Sequence, residues 1–128
     1  MGKYRENISD HSLWMTATPT PLAKTLPFFV SEAGHFMAGL DYRVQRETHD
    51  SFLLLYTVGG QGSVQTGDDV LLLPRGHSVI IDCRISHEYH AVSAQWEFLW
   101  IHFNGSGVAP LLDVVYPENA VHAVAMKN

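Results

Sequence analysis

Short apolar runs separated by turn residues make up most of this chain. They begin near positions 28, 42, 52, 62, 70, 78, 87 and 95. Runs spaced about 8–14 residues apart, with turn signals between them, are typical of an all-β sandwich or barrel. The runs lack helical periodicity and are too short for helices. The pattern therefore predicts an all-β domain over residues 28–107.

Glycine-rich segments mark where the predicted strands turn. Residues 59–62, Gly-Gly-Gln-Gly, separate the run at 52–58 from the run at 63–66. Glycines supply the positive φ angles that a hairpin or a bulge needs. The segments 67–69 and 74–77 separate the runs that follow. The order predicts that these runs are successive antiparallel neighbours.

The most informative predicted strand covers residues 95–103. Side chains alternate along a strand, so one face carries four rings: Trp96, Phe98, Trp100 and His102. The other face is also mostly apolar: Glu97, Leu99, Ile101 and Phe103. Two apolar faces predict a strand that is covered on both sides.

The two ends of the chain differ from this pattern. Residues 1–27 are predicted to form an N-terminal arm, because two closely spaced prolines favour extended backbone. The apolar residues at 13–15 either anchor this arm to the body or cover a pocket. Residues 108–128 are predicted to form a short helix that Pro117 ends, followed by a tail with one more strand at 119–124.

Composition restricts the class of protein. Hydrophobic residues make up 46% and charged residues 16% of the chain, which excludes a disordered protein. The net charge is −5 and no basic cluster is present, so direct binding to a nucleic-acid backbone is not expected. A single cysteine, no visible signal peptide and no apolar run near 18 residues predict a cytoplasmic protein with no membrane partner.

Eight histidines raise the possibility of a metal site. A chelating strand needs His-x-His, which is absent, and alternation puts His87 and His90 on opposite faces. Cys83 lies in no recognisable nucleophile motif. We therefore expect no metal, no cofactor and no catalytic residue. The remaining candidate is an aromatic ligand-binding wall, with core packing as the alternative for each member: Tyr89, Trp96, Phe98 and Trp100.

Four motifs occur in a family-specific order. They are Phe-Leu-Leu-Leu-Tyr-Thr-Val-Gly-Gly-Gln-Gly at 52–62, Leu-Pro-Arg-Gly at 73–76, Ser-His-Glu-Tyr at 86–89, and Trp-Glu-Phe-Leu-Trp-Ile-His-Phe-Asn-Gly at 96–105. Together they resemble the effector-binding domain of the AraC-type regulators. The resemblance covers about residues 28–115.

This resemblance implies a fold and a function. The fold would be a cupin-like double-stranded β-helix, or jelly-roll barrel, over residues 28–107, with the arm before it and the short helix after it. The barrel of this family binds a small effector, often a sugar, and the arm can fold over it. A helical segment after the barrel commonly mediates dimerisation, so a homodimer is one expected state. DNA would be reached only through a C-terminal helix-turn-helix domain that is absent from these 128 residues.

The resemblance also implies ligand-binding positions. Tyr89 corresponds to the tyrosine of the family's His-x-Tyr, and Trp100 to the second tryptophan of its Trp-x-x-x-Trp run. The pocket arginine corresponds to Arg46, with Arg43 as the alternative. Phe98 replaces a polar histidine of the arabinose sensor, which disfavours arabinose itself. The predicted ligand site is Arg46, Tyr89, Phe98, Trp100, His87 and Trp96.

Two other functions stay open at this point. One is a metal-dependent cupin enzyme, such as a sugar isomerase or a dioxygenase. This chain keeps only His87 of the two His-rich motifs of metal-binding cupins, which favours a non-enzymatic barrel. The other is a stand-alone carbohydrate-binding jelly roll.

Overall fold

The computed structural model of this chain describes residues 3–5, 7–115 and 124–125. These residues form strands and one α-helix, in chain order: β1 Lys3–Arg5, β2 Leu13–Thr16, β3 Phe29–Gly39, β4 Arg43–Arg46, β5 Phe52–Thr66, β6 Asp69–Pro74, β7 His77–Asp82, β8 His87–Asn104, α1 Val108–Val115 and β9 Val124–Ala125. A short 3-10 helix, Ala23–Thr25, lies between β2 and β3. The all-β prediction with one short C-terminal helix is confirmed.

Two long strands, β5 and β8, build both sheets of the barrel. Residues 52–57 of β5 pair with 98–103 of β8 in the first sheet, and residues 62–66 pair with 87–91 in the second. The first sheet continues through β3 to β2 on one side and through β7 on the other. The second continues through β4 to β1 and through β6. Two sheets that share their central strands make a jelly-roll barrel.

The glycine-rich segment 59–62 is a bulged bend inside β5. The register of β5 against β8 shifts between Thr57 and Gly59, and again between Gly60 and Gly62. Gly60 has a φ of 71°, and a side chain there would overlap the backbone of Gln95. The prediction of two successive strands at this point was wrong, because the glycines bend one strand from the first sheet into the second.

Two further neighbour predictions are corrected. β6 pairs with residues 61–66 of β5, whereas β7 pairs with 52–56, so β6 and β7 lie in different sheets. The turn at Gly76, with a φ of 81°, carries the chain from one sheet to the other. The runs that begin at 87 and 95 are one strand, β8. The turn at 67–69 does join antiparallel neighbours, β5 and β6.

The inner face of β8 lies in the core, as alternation predicts. Its four rings are buried: Trp96, Phe98, Trp100 and His102. The outer face is only partly covered, because Leu99 is 43% exposed and the half-exposed Glu97 side chain is hydrogen-bonded to His35 at 2.6 Å. The prediction of cover on both sides was therefore wrong for Leu99.

The arm is built into the edges of the barrel. β1 pairs with β4 in the second sheet, and β2 pairs with β3 in the first. The amide of Gly107, just before α1, donates a hydrogen bond of 2.9 Å to the carbonyl of Pro27. The predicted helix stop at Pro117 and most of the predicted strand at 119–124 lie outside the described residues. Among the helices that are described, none is long and apolar enough to cross a membrane.

Candidate functional site

A cavity of about 230 Å³ lies between the two sheets, at the end of the barrel where β8 carries Trp100. Five aromatic side chains line it: Trp14, Phe36, Tyr42, Tyr89 and Trp100. The rest of the wall is polar apart from one aliphatic group: Glu32, Val44, Arg46, His49 and His102. The volume is below the roughly 300–1,000 Å³ of typical drug-sized pockets. It therefore suits a small ligand.

The predicted site residues divide into two groups. Arg46, Tyr89 and Trp100 line the cavity, whereas Trp96, Phe98 and His87 lie outside its wall. The alternative arginine is also outside it, because Arg43 is exposed on the other face of β4. Three of the six expected side chains therefore come together in one cavity.

Trp96 and Phe98 pack in the closed part of the core. Their rings stack at a centroid distance of 4.0 Å, and both are at most 1% exposed. The indole Nε1 of Trp96 donates a hydrogen bond of 2.9 Å to Thr57 Oγ1, which donates in turn to the Leu73 carbonyl. The one polar side-chain atom of this pair, Trp96 Nε1, is therefore satisfied inside the core, and neither ring lines the cavity. These two residues follow the packing alternative.

His87 lies beside the cavity, behind Arg46. The two residues are opposite each other in the register of β4 and β8. The ring Nδ1 of His87 lies 2.8 Å from the Ile85 carbonyl, and a carbonyl only accepts, so Nδ1 carries the proton. Nε2 is then an acceptor. It is buried and has no hydrogen-bond partner within residues 7–115.

Burial and the Arg46 charge keep the neighbouring histidines neutral. Burial first, and Arg46 second, lower the pKa of His102 from 6.5 to about 3. Burial and Arg46 also lower the pKa of His49, against weaker opposite effects of Glu32 and Asp50. The pKa of His87 is lowered mainly by burial. Neutral imidazoles can both donate and accept hydrogen bonds.

His102 is fixed in place by its neighbours. Its Nδ1 lies 2.7 Å from Ser51 Oγ, in a buried hydrogen bond. Its ring packs against His49 with centroids 5.0 Å apart and against Trp100 at 5.5 Å. The sequence pattern had placed His102 on the Trp100 face, and the structure adds that this ring lines the cavity.

A glycine lets two tryptophans meet in the cavity wall. Gly34 on β3 lies opposite Trp14 of β2 on one side and opposite Trp100 of β8 on the other. A Cβ atom at position 34 would overlap the indole of Trp100. Since that space is empty, the two indoles meet edge to face at 6.0 Å across the intervening strand. The arm thus supplies part of the wall.

Trp14 is docked by its polar atom as well as by its ring. Its Nε1 donates a hydrogen bond of 3.1 Å to Glu32 Oε2, and its ring contacts Phe36 at 6.1 Å. The side chain is nevertheless 55% exposed. Of the two interpretations left open for residues 13–15, this geometry favours the one in which the arm covers a pocket.

Sequence reasoning missed several lining residues. Phe36 shares the inward face of β3 with Glu32, and Val44 shares that of β4 with Arg46, so alternation along those strands was the available signal. Tyr42 and His49 lie outside the strands, where no period applies. Within residues 7–115, no three His, Cys, Asp or Glu side chains converge in a way that could hold a metal ion.

A family model described as the AraC-like ligand binding domain matches residues 29–116 of this chain. Among curated proteins, the MmsAB operon regulatory protein of Pseudomonas aeruginosa is 33% identical over 98 residues. That alignment covers 66% of this chain and 29% of the relative. The chain therefore spans less than a third of the length of the curated relative that it matches.

Several solved structures share the fold at low sequence identity. The plu4264 protein of Photorhabdus luminescens has a TM-score of 0.56 and 14% identity, covering 90% of each chain. A cupin domain of an XRE family transcriptional regulator from Enterobacter cloacae has a TM-score of 0.53 and 11% identity, covering 71% of this chain and 94% of that one. A mutant of Bacillus subtilis oxalate decarboxylase has a TM-score of 0.54 and 16% identity, covering 83% of this chain and 28% of that one. These likenesses establish the cupin-like barrel.

Proposed function

The chain belongs to the family of AraC-like ligand-binding domains, and we propose that it senses a small effector of the monosaccharide class for a transcription regulator. The observation that supports this most directly is the cavity with its mixed wall. Aromatic rings stack on the apolar faces of sugars, and a few polar groups fix the orientation of a ligand. The cavity offers both kinds of group around a small volume.

Four of the lining residues have a stated role in this proposal. Trp100 and Tyr89 contact the apolar face of the effector, and Arg46 donates hydrogen bonds to its oxygens. Trp14 contacts it from the arm. Binding then favours the docked arrangement of the arm, which is a shift between existing conformations. Further parts of the regulator, or a second copy of the chain, read that shift, and DNA is bound by a separate domain.

Thermal unfolding against a panel of monosaccharides tests this function. A ligand at 100 times its Kd adds about 2.7 kcal/mol of stability, which raises Tm by on the order of 10 °C. We expect one sugar class to raise Tm whether or not EDTA is present. A flat response to every sugar contradicts the proposal.

Trp100→Phe and Trp96→Phe form a matched pair for the same measurement. We expect Trp100→Phe to reduce the sugar-dependent rise with little change in the Tm of the free protein. Trp96→Phe should lower the Tm of the free protein and leave the sugar-dependent rise in Tm unchanged. The reverse pattern would move the site away from this cavity.

A metal-dependent cupin enzyme is the second candidate, because oxalate decarboxylase is among the solved structures with this fold. We propose that this domain is not an enzyme, since the family match is to a ligand-binding domain. The two candidates differ in one measurement. A rise in Tm with a divalent transition metal, reversed by EDTA, together with a flat sugar panel, favours the enzyme.

A further inference from the structure

The two charged side chains of the cavity wall come from opposite sheets. Arg46 projects inward from β4 in the second sheet, and Glu32 projects inward from β3 in the first. A ligand in the cavity therefore has a guanidinium on one side and a carboxylate on the other. The cavity is electrically polarised between its two walls.

The positive wall is partly buried and lies among neutral groups. The Arg46 charge reaches His49, His87 and His102, and it lowers the pKa of each. At His49, where both charges act, the effect of Arg46 exceeds that of Glu32. A positive potential therefore extends over this end of the cavity. Since the three imidazoles are neutral, they add no charge of their own.

The negative wall lies at the exposed side of the cavity. Glu32 Oε2 accepts a hydrogen bond from Trp14, whose side chain is more than half exposed. Glu32 is thus partly solvated, and its charge is screened more strongly than a buried one. The two walls therefore favour opposite ends of a ligand, with an anionic group near Arg46 and a hydrogen-bond donor near Glu32.

From this polarity we infer that the effector is a monocarboxylic sugar acid rather than a neutral sugar, bound with its carboxylate toward Arg46 and a hydroxyl end toward Glu32. Arginine presents two parallel N–H donors that match a carboxylate. A hydroxyl can donate to Glu32, whereas a second carboxylate there would be repelled. This inference rests on the proposed function, and it names the ligand class of the same cavity.

Sets of ligands with one carbon skeleton and different charge test it directly. In the gluco, galacto and manno series, the aldose and the uronic acid form rings with zero and one carboxylate, and the aldonic and aldaric acids are open chains with one and two. Affinity is measured by isothermal titration for all twelve. In at least one series we expect the uronate to bind at least tenfold more tightly than the aldose, and the aldonate at least tenfold more tightly than the aldarate.

Two arginines of β4 supply the matched variants. Arg46→Gln removes the charge inside the cavity, and Arg43→Gln removes one on the outer face, where Arg43 pairs with Glu88. We expect Arg46→Gln to weaken uronate binding at least tenfold more than it weakens aldose binding. Arg43→Gln should leave both unchanged. Far-ultraviolet circular dichroism checks that both variants are folded.

The outcomes separate this inference from the proposed function. If an aldose binds as tightly as its uronate, or if Arg46→Gln weakens the two equally, the charge preference is wrong and the sugar sensor stands. If the aldarate binds most tightly, the assigned role of Glu32 is wrong and the inference fails. If no member of any series binds but another sugar of the thermal panel raises Tm, the inference fails and the sugar sensor stands. If the panel is flat as well, both fail.

Discussion

Trp96 and Trp100 are four residues apart on the same face of the same strand, yet their indoles have different surroundings. Trp96 is fully buried, stacks on Phe98, and uses its Nε1 in a hydrogen bond to Thr57. Trp100 borders the cavity, and its Nε1 is buried without a hydrogen-bond partner within residues 7–115. One end of the barrel is closed by packing, and the other contains the cavity.

The difference comes from what faces each indole. Opposite Trp96 the bend of β5 brings Thr57 and Gly62 close, so the ring is enclosed on all sides. Opposite Trp100 the neighbouring strands supply Gly34 and the exposed Trp14 instead. A side chain on a barrel strand thus becomes part of the core or of the cavity wall according to residues that are remote in sequence. The comparison predicts that the two ends respond differently to the same change.

The largest expected effect separates the two tryptophans. Trp96→Ala should cost about 3–5 kcal/mol of unfolding free energy, because it opens a cavity in a fully packed region. Trp100→Ala should cost less, because the ring already borders an empty space. Urea unfolding measures both. Equal costs would mean that the cavity end is as tightly packed as the closed end.

The second effect concerns the two glycines that lie against these rings. Gly62→Ala and Gly34→Ala each place a methyl group on an indole, at Trp96 and Trp100 respectively. Overpacking typically costs about 1–3 kcal/mol. We expect Gly62→Ala to show the full loss of stability. Gly34→Ala should show a smaller loss, since Trp100 can turn into the cavity and displace Trp14.

Fluorescence distinguishes these two glycine variants. In Gly34→Ala, acrylamide should quench tryptophan emission more strongly than in the wild type, because Trp14 leaves its contact with Trp100. In Gly62→Ala, quenching of the folded protein should not change. Increased quenching in both variants would argue that the arm is docked by something other than the Trp14–Trp100 contact.

The third effect is a loss of stability in acid that arises at the cavity end. His102 has a pKa near 6.5 when unfolded and about 3 when folded. Below pH 6.5 the unfolded state therefore binds more protons than the folded state. The contribution of His102 to the unfolding free energy is fully present above pH 6.5, and it decreases as the pH is lowered to about 3. At pH 5 the protonation of His102 alone should lower the unfolding free energy by about 2 kcal/mol. His49 and His87, whose pKa values are also lowered, should add to the loss.

Urea unfolding at pH 7.5 and at pH 5 measures this loss. The variant His102→Asn should be less stable at pH 7.5, because it disturbs the bond to Ser51, but its stability should fall less toward pH 5. If the wild type and the variant lose the same amount, the acid sensitivity has another source.

The smallest effect is expected at Trp14. Because its side chain is 55% exposed, Trp14→Ala should change the unfolding free energy by no more than about 0.5 kcal/mol. Under the proposed function, the same change should weaken effector binding by removing part of the cavity wall. Isothermal titration with the tightest sugar of the panel measures this. A large loss of stability would mean that the arm is a structural strand and not a movable wall.

The sequence alone supported the barrel, but it did not distinguish its two ends. Alternation placed Trp96 and Trp100 on one face, and the family resemblance supplied Trp100, Tyr89 and Arg46. The bend at 59–62 was missed because three glycines suit a hairpin as well as a bulge. The sequence around each tryptophan could not show which one packs in the core and which one lines the cavity. That difference depends on residues of other strands: Thr57, Gly34 and Trp14.

The position of β8 in the chain has a consequence for synthesis. This strand pairs with β3, β4 and β5, yet it follows all three of them along the chain and is synthesised after them. Until residue 104 has emerged, the earlier strands lack their central neighbour and leave backbone groups unpaired at their edges. Such edges pair readily with other chains. The barrel therefore closes only after translation has passed its longest strand, and its edges are open to aggregation throughout that interval.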